Sequence, residues 1–276
     1  MNRTKNTQNT TDLLWLSDLH LERASDETRK RFLERLRSTC CDAILITGDI
    51  STSEHLTHHL GEISDACDDR KVYYLLGNHD YFHGSIREVE RTVIALSQDH
   101  RNLVPLGQGE IIELSPDTAL VGHRGWFDGL AGAGEETWIE SPDHQKIDDF
   151  KHLDRREFFE RLRQLGEDSA TYLRQVLPAA LSRYRHVMIA THVPPFYQGV
   201  KYDGRDCRWE RQPFFTNSAA GNTIVGILKR FPHRRITVHA GHSHSAANVR
   251  MSRNLSIQVA GAQPVKPAFN GLLQIN

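Results

Sequence analysis

Apolar residues recur along the first hundred positions with two alternating periods. Leu13 to Leu16, Ala43 to Thr47 and Val72 to Leu76 are short, nearly continuous apolar runs. Runs of this length read as strands buried on both faces. Between them the period lengthens. Phe32, Leu33 and Leu36 stand at helical spacing among charges, as do Leu56, Leu60 and Ile63, and then Ile86, Val89, Val93 and Leu96. The order β-α-β-α-β-α predicts a largely parallel sheet covered by helices. In such sheets functional side chains gather beyond the carboxyl ends of the strands.

The pattern then changes. Glu110 to Leu114 and Thr118 to Val121 flank a Ser-Pro-Asp turn and predict an antiparallel hairpin. Trp138 to Tyr184 is rich in both charge signs and helical by period, with Leu162, Leu165, Tyr172, Leu173, Val176 and Leu177 as its apolar positions. Pro178 is expected to kink or end that helix. Strands resume at Val187 to Ala190 and Ile236 to Ala240, and "NLSIQVAG" and "GLLQIN" close the chain as β. The expectation is an α/β protein of one domain over residues 1–276, with two β-sheets, an inserted helical segment at about 138–185 and a candidate lid at about 196–216.

Composition narrows the function without choosing it. The 276 residues are 38% hydrophobic and 25% charged, with a formal net charge of -1. That balance suits an ordinary soluble protein and gives no global pull toward nucleic acid or an anionic membrane. No apolar run is long enough to cross a bilayer, and the first twelve residues lack the apolar core of a signal peptide. Cys40, Cys41, Cys67 and Cys207 form no C-x-x-C pair, which fits a reducing, cytoplasmic compartment. Cys40, Cys41 and Cys67 read as buried small residues, and His58, His59 and His233 as surface positions.

Candidate chemistry appears where the strands stop. The first ends in Asp18 and His20, the second in Asp49, the third in "GNHD" with Asn78, His79 and Asp80. The strand at 187–190 ends in His192, and that at 236–240 in "GHSH" with His242 and His244. Asp18 and His20 share a face at i, i+2, and His242 and His244 repeat the geometry. Glycine precedes Asp49, Asn78 and His242, and is expected to permit a sharp turn there. This mixed nitrogen and oxygen set suits Mn, Fe, Co, Ni or Zn better than Mg or Ca. Seven ligands exceed one ion and fit two about 3.5–4 Å apart with a bridging carboxylate.

In this order the blocks D-x-H, G-D, G-N-H-D, a later H and G-H-x-H resemble those of the calcineurin-like metallophosphoesterases. The resemblance spans nearly the whole chain and implies a sandwich of two mixed β-sheets flanked by helices. It implies that Asp18, His20 and His244 hold one divalent transition metal, that Asn78, His192 and His242 hold a second, and that Asp49 bridges them. His79 would then contact the phosphate and protonate or stabilise the leaving oxygen, while a hydroxide shared by the metals attacks in line. The substrate would be a phosphomonoester or phosphodiester. "GDISTSE" departs from the G-D-x-V-D-R-G of the protein Ser/Thr phosphatases, which argues against a protein substrate.

Two other functions share the fold: a DNA nuclease and a non-catalytic scaffold. The lack of basic charge disfavours the first, and the complete ligand set disfavours the second. Substrate contacts are the least legible part. Arg124, just after the strand at 118–121, is a candidate phosphate contact. The segment from Pro194 to Phe215 mixes Arg205, Arg208 and Arg211 with Tyr197, Tyr202 and Trp209. That composition suits contact with bases or phosphates, and equally a solvated lid pinned by its aromatics.

Overall fold

The structure, a computed structural model, describes residues 11–263 and 265–276; the polar stretch at residues 1–10 lies outside them. In chain order the elements are β1 (Thr11–Leu16), α1 (Asp26–Ser38), β2 (Ala43–Thr47), α2 (Ser53–Cys67), β3 (Lys71–Leu75), α3 (Ile86–Asp99), β4 (Leu103–Pro105), β5 (Ile112–Ser115) and β6 (Thr118–Gly122). They continue with α4 (Pro142–Lys146), α5 (Arg155–Arg183), β7 (His186–Ala190), β8 (Lys201–Tyr202), β9 (Arg205–Asp206), α6 (Ser218–Leu228), β10 (Arg235–Ala240), β11 (Ala247–Arg250), β12 (Leu255–Val259) and β13 (Phe269–Ile275).

Two mixed sheets carry the fold. One has the order β13-β1-β2-β3-β4, the other β11-β12-β10-β7-β6-β5. In the first, β1 through β4 are parallel and β13 is antiparallel to β1. In the second, β6, β7, β10 and β12 are parallel, and β5 and β11 are antiparallel edges.

Strand alternation explains the layering. Leu14, Leu16, Ile44, Ile46, Val72 and Tyr74 face one way, into a core shared with Phe32, Leu36, Leu56, Leu60, Ile63, Val89 and Val93 of α1, α2 and α3. Leu13, Trp15, Ala43, Leu45 and Leu75 face the other way and meet Leu120, Met188 and Ala190 of the second sheet. That sheet turns Ala119, Val121, Val187, Ile189, Ile236 and Val238 toward α5 and α6. The central strands β1, β2, β3 and β7 carry apolar residues toward both faces, which is why they read as nearly continuous apolar runs.

Several expectations change. The helical period over 138–184 yields only the short α4 and the long α5. Ile147 caps α4 in an extended conformation, and a capping box at Asp154 and Glu157 starts α5 afresh. Pro178 does not end the helix, which runs on to Arg183. Leu177, Ala180 and Leu181 bury their side chains against the second sheet around it, and that packing outweighs one missing backbone hydrogen bond. The candidate lid holds 3-10 turns at Tyr197–Gly199 and Gln212–Phe214 and the β8–β9 hairpin. His59 is buried rather than on the surface, bonded through Nδ1 to the Ser51 hydroxyl, and Cys40 is exposed. Among the described residues no helix is long and apolar enough to cross a membrane.

Candidate metal centre

The carboxyl ends of β1, β2, β3, β7 and β10 deliver Asp18, His20, Asp49, Asn78, His192, His242 and His244 to one place. Five of them, Asp18, His20, Asp49, His242 and His244, have left-handed backbones with φ of 52°, 44°, 52°, 72° and 55°. Non-glycine residues rarely adopt this region, and such strain concentrates at functional sites. It turns each side chain off its strand axis and toward the opposite sheet. Of the three glycines in these turns only Gly48 needs positive φ, at +90°. Gly77 and Gly241 serve by their lack of a side chain. A Cβ on Gly77 would overlap Asp49, and one on Gly241 would overlap Ser17 and Asp18.

The ligand-type atoms form two groups. In the first, His20 Nε2 lies 3.1 Å from His244 Nε2 and 3.7 Å from Asp49 Oδ2, and His244 Nε2 lies 3.3 Å from Asp18 Oδ1. In the second, Asn78 Oδ1 lies 3.1 Å from His192 Nε2 and 3.0 Å from His242 Nδ1. The two imidazole nitrogens there are 3.2 Å apart, and His192 Nε2 is 3.3 Å from Asp49 Oδ1. Donor atoms about 2.0–2.2 Å from a common ion stand about 3.0–3.6 Å from one another in tetrahedral to octahedral arrangements. All the spacings but one fall in that range, and His20 Nε2 to Asp49 Oδ2, at 3.7 Å, lies just beyond it.

Hydrogen bonds on the far side of each group decide which atom faces inward. His192 Nδ1 donates to the Thr47 carbonyl at 2.9 Å, and His242 Nε2 donates to the Phe214 carbonyl at 2.8 Å. Their other nitrogens therefore turn lone pairs toward the centre. Asn78 Nδ2 donates to Asp143 Oδ1 at 2.8 Å, which points the amide oxygen at the two imidazoles. With His192 neutral, lone pairs face lone pairs, an arrangement that a shared cation satisfies; without a metal, a proton on His192 takes that cation's place. Asp49 supplies the clearest sign. Its Oδ1 accepts from the His79 backbone N–H at 2.9 Å, while Oδ2 is buried with no hydrogen-bond partner among the described residues. The two oxygens face different groups. The residues present fit two metal ions.

Electrostatics agree. Burial alone would raise the Asp49 carboxyl, but the imidazoles around it, His192 foremost, hold it well below the usual carboxylate range. Burial lowers His192, yet the Asp49 and Asp18 carboxylates outweigh it and lift the imidazole to about 9. The same pull acts on any cation placed between them. His242, buried and facing His192, falls to about 4 and stays a neutral donor.

His79 stands beside this centre. Its Nε2 is 4.0 Å from Asp49 Oδ2, and its ring packs on Phe82 with centroids 4.2 Å apart. The Arg23 guanidinium donates to its Nδ1 at 3.1 Å. An arginine only donates, so Nδ1 accepts and Nε2 carries the proton. Burial lowers His79 against the pull of Asp49, and with the His20 and Arg23 charges beside it the pKa reaches about 3. The imidazole is a neutral N–H donor at neutral pH.

Three residues support the centre from behind, and the first of them, Asp80, caps and orients its neighbours as its place in "GNHD" suggests. Asp80 accepts from the Ile50, Ser51 and Gly77 backbone N–H groups, each at 2.8 Å, and so ties the loop after β2 to the loop after β3. Asp143 sits in α4, 65 residues from the Asn78 it orients. Arg23 follows His20 by three. No local pattern marks the last two, since each acts across a long stretch of chain. Arg124 goes elsewhere. Its guanidinium pairs with Glu90 of α3 and lines a small cavity with Tyr74, Tyr81 and Leu106, outside the cleft over the imidazoles. The carboxylate across the cavity, invisible to local sequence, takes the charge offered there for a phosphate.

A family model described as calcineurin-like phosphoesterase matches residues 12–246. The chain belongs to that family. No curated protein matches the sequence. Among solved structures, the fold is similar to a dimetal phosphatase from Danio rerio, with 10% identity, 93% of this chain and 88% of that chain covered, and a TM-score of 0.57. It is also similar to a protein of Thermus thermophilus, with 13% identity, 97% and 99% of the chains covered, and a TM-score of 0.55.

Proposed function

We propose that this chain hydrolyses phosphate esters with two divalent transition-metal ions. Asp18, His20 and His244 would hold one, Asn78, His192 and His242 would hold the other, and Asp49 would serve both. The observation that carries this reading is the divided Asp49 carboxylate, with Oδ1 toward His192 and Oδ2, without a hydrogen-bond partner among the described residues, toward His20. Bound there, two such ions supply Lewis acidity and an activated water for in-line attack at phosphorus. The donor set suits manganese, iron, cobalt, nickel or zinc. Four free cysteines support a cytoplasmic location.

The protein's own residues do the rest. His79 presents Nε2–H over the same cleft and donates to a phosphoryl or leaving oxygen. Its low pKa favours hydrogen bonding over proton transfer, and Arg23 fixes the tautomer that makes it possible. The cleft, about 580 Å³, is walled by Ile139 to Asp143 on one side and Tyr202, Arg211, Phe214 and Phe215 on the other. A small ester of either type fits this space.

Chelation followed by reconstitution with manganese tests the proposal on p-nitrophenyl phosphate and bis(p-nitrophenyl) phosphate. Hydrolysis should vanish with the metal and return with it, and full activity in metal-free protein would refute the two-metal reading. His79→Ala should keep both ions yet lose about 10²–10³-fold in kcat, the worth of one preorganised donor. His79→Gln, which keeps an N–H, should recover part of it. A glutamine variant no better than the alanine one would return proton transfer to His79.

A further inference from the structure

The cleft over the imidazoles does not end at its wall. Beyond Tyr202, Asp203 and Arg211 lies a second cavity of about 500 Å³, lined by those three residues with Arg205, Asp206 and Arg208. The two cavities share three lining residues, so a molecule anchored at the metal centre can extend from one into the other. Three guanidinium groups and two carboxylates line the outer cavity, and the balance is positive. Among the described residues none of these three arginines has a carboxylate within ion-pair distance, whereas Arg29, Arg31, Arg124, Arg156, Arg163, Arg174 and Arg185 do. Arg211 is half-buried and held in place, its guanidinium stacked 4.2 Å over the Tyr202 ring. Tyr202 in turn packs edge-on to Phe215, and Phe215 packs on His242. A continuous line of rings thus fixes Arg211 relative to a metal-ligand histidine. A stacked guanidinium leaves its N–H fork free for a planar or tetrahedral anion.

Resting on the phosphoesterase reading, we propose that the outer cavity is an anion subsite, and that the substrate is a small organic phosphate bearing a second phosphoryl group on its alcohol portion. The scissile phosphoryl group lies in the cleft beside His79, His242 and His244, and Arg211 with Arg205 and Arg208 takes the distal one. The β8–β9 hairpin, which carries Tyr202 and Arg205, is then a specificity wall and not only a cover. A chain of atoms joins the two phosphoryl groups, which lie in cavities that share Tyr202, Asp203 and Arg211 as walls.

The test compares butyl phosphate with butane-1,4-diol bisphosphate on the manganese enzyme. Both lose an alkoxide of similar basicity, so the distal phosphate is the principal difference. The bisphosphate should have a kcat/KM about tenfold to a hundredfold higher, the worth of one charge-assisted contact, expressed mainly in KM and reduced by added salt. That ratio should collapse toward one in Arg211→Ala and in the Arg205→Ala/Arg208→Ala double variant. Calorimetric binding of the same two compounds reads the subsite independently of turnover, and the affinity ratio should collapse in the same variants. Equal kcat/KM and equal affinity for the two compounds in the wild type would overturn the subsite. A preference that survives all three arginine replacements would overturn it as well. Failure to hydrolyse even p-nitrophenyl phosphate would refute the phosphoesterase reading instead, while the binding ratio would still decide whether the arginines hold a distal phosphate.

Discussion

Asp49 is one residue with two jobs, because its carboxylate oxygens face different sets of nitrogen donors. Asp49→Ala should therefore lower the metal content, from about two ions per chain, more than any other single ligand replacement, measured by elemental analysis after gel filtration. Loss of only one ion would mean that the bridge is elsewhere. Asp143 acts at one remove. It holds the Asn78 amide so that oxygen, not nitrogen, faces His192 and His242. Burial raises the Asp143 carboxyl while the Ser141 hydroxyl and the Asn78 amide oppose it, so it is maintained by those bonds. Freed of this partner, Asn78 rotates. Asp143→Ala should raise the manganese concentration for half-maximal activity by about 10–100-fold, the usual cost of removing such a supporting partner. An unchanged metal requirement would leave Asp143 a purely structural residue.

At the scale of elements, α5 puts a helix breaker inside 29 residues that stay helical. The Pro178 ring removes one backbone bond and crowds the preceding turn, and burial of Leu173, Val176, Leu177, Ala180 and Leu181 offsets this. Pro178→Ala should then stabilise the protein, on the order of 1 kcal/mol, because the restored bond exceeds the entropy returned to the unfolded chain. The urea midpoint of metal-free protein checks it, and a lower midpoint would show that α5 needs its proline. The loop of residues 147–154 between α4 and α5 matters for the site. It lets α4 swing Asp143 under Asn78 while α5 lies along the second sheet, which one unbroken helix from 138 to 184 could not do.

For the whole molecule the histidines set the response to pH. Burial holds His59 and His123 down to about 4 and His239 to about 3, so they fold neutral. Between pH 6.5 and about 4 the unfolded chain protonates these groups and the native one does not. Stability must fall as pH drops through that window, by about 1.4 kcal/mol per pH unit for each such group. His192 runs the opposite way in metal-free protein. Its raised pKa contributes stability that is complete below about 6.5 and lost as pH rises through about 9. Metal-free protein should be most stable near pH 6.5, and manganese should move the optimum upward by displacing the His192 proton. Denaturation midpoints across pH, with and without metal, check both statements, and an optimum unmoved by manganese would separate His192 from metal binding. His239→Leu should flatten the acid limb.

By itself the sequence determined the strands, because β1, β2, β3 and β7 stand out as nearly unbroken apolar runs, and β10 alternates Ile236, Val238 and Ala240 with the buried polar Thr237 and His239. It also marked the polar residues at their ends, since Asp, His and Asn directly after such runs have no local reason to be there. Short edge strands stayed hidden. β4, β8, β9 and β11 span two to four residues and bury little, so no periodicity singles them out. What only the tertiary structure decided is the pairing of distant groups: Asp143 with Asn78, Arg23 with His79, Glu90 with Arg124, and Arg211 with Tyr202. Burial pattern is written along the chain, residue by residue. The direction and partner of a polar side chain are set by backbone that arrives from elsewhere, and here it comes from elements far along the chain, such as α3 for Glu90 and α4 for Asp143.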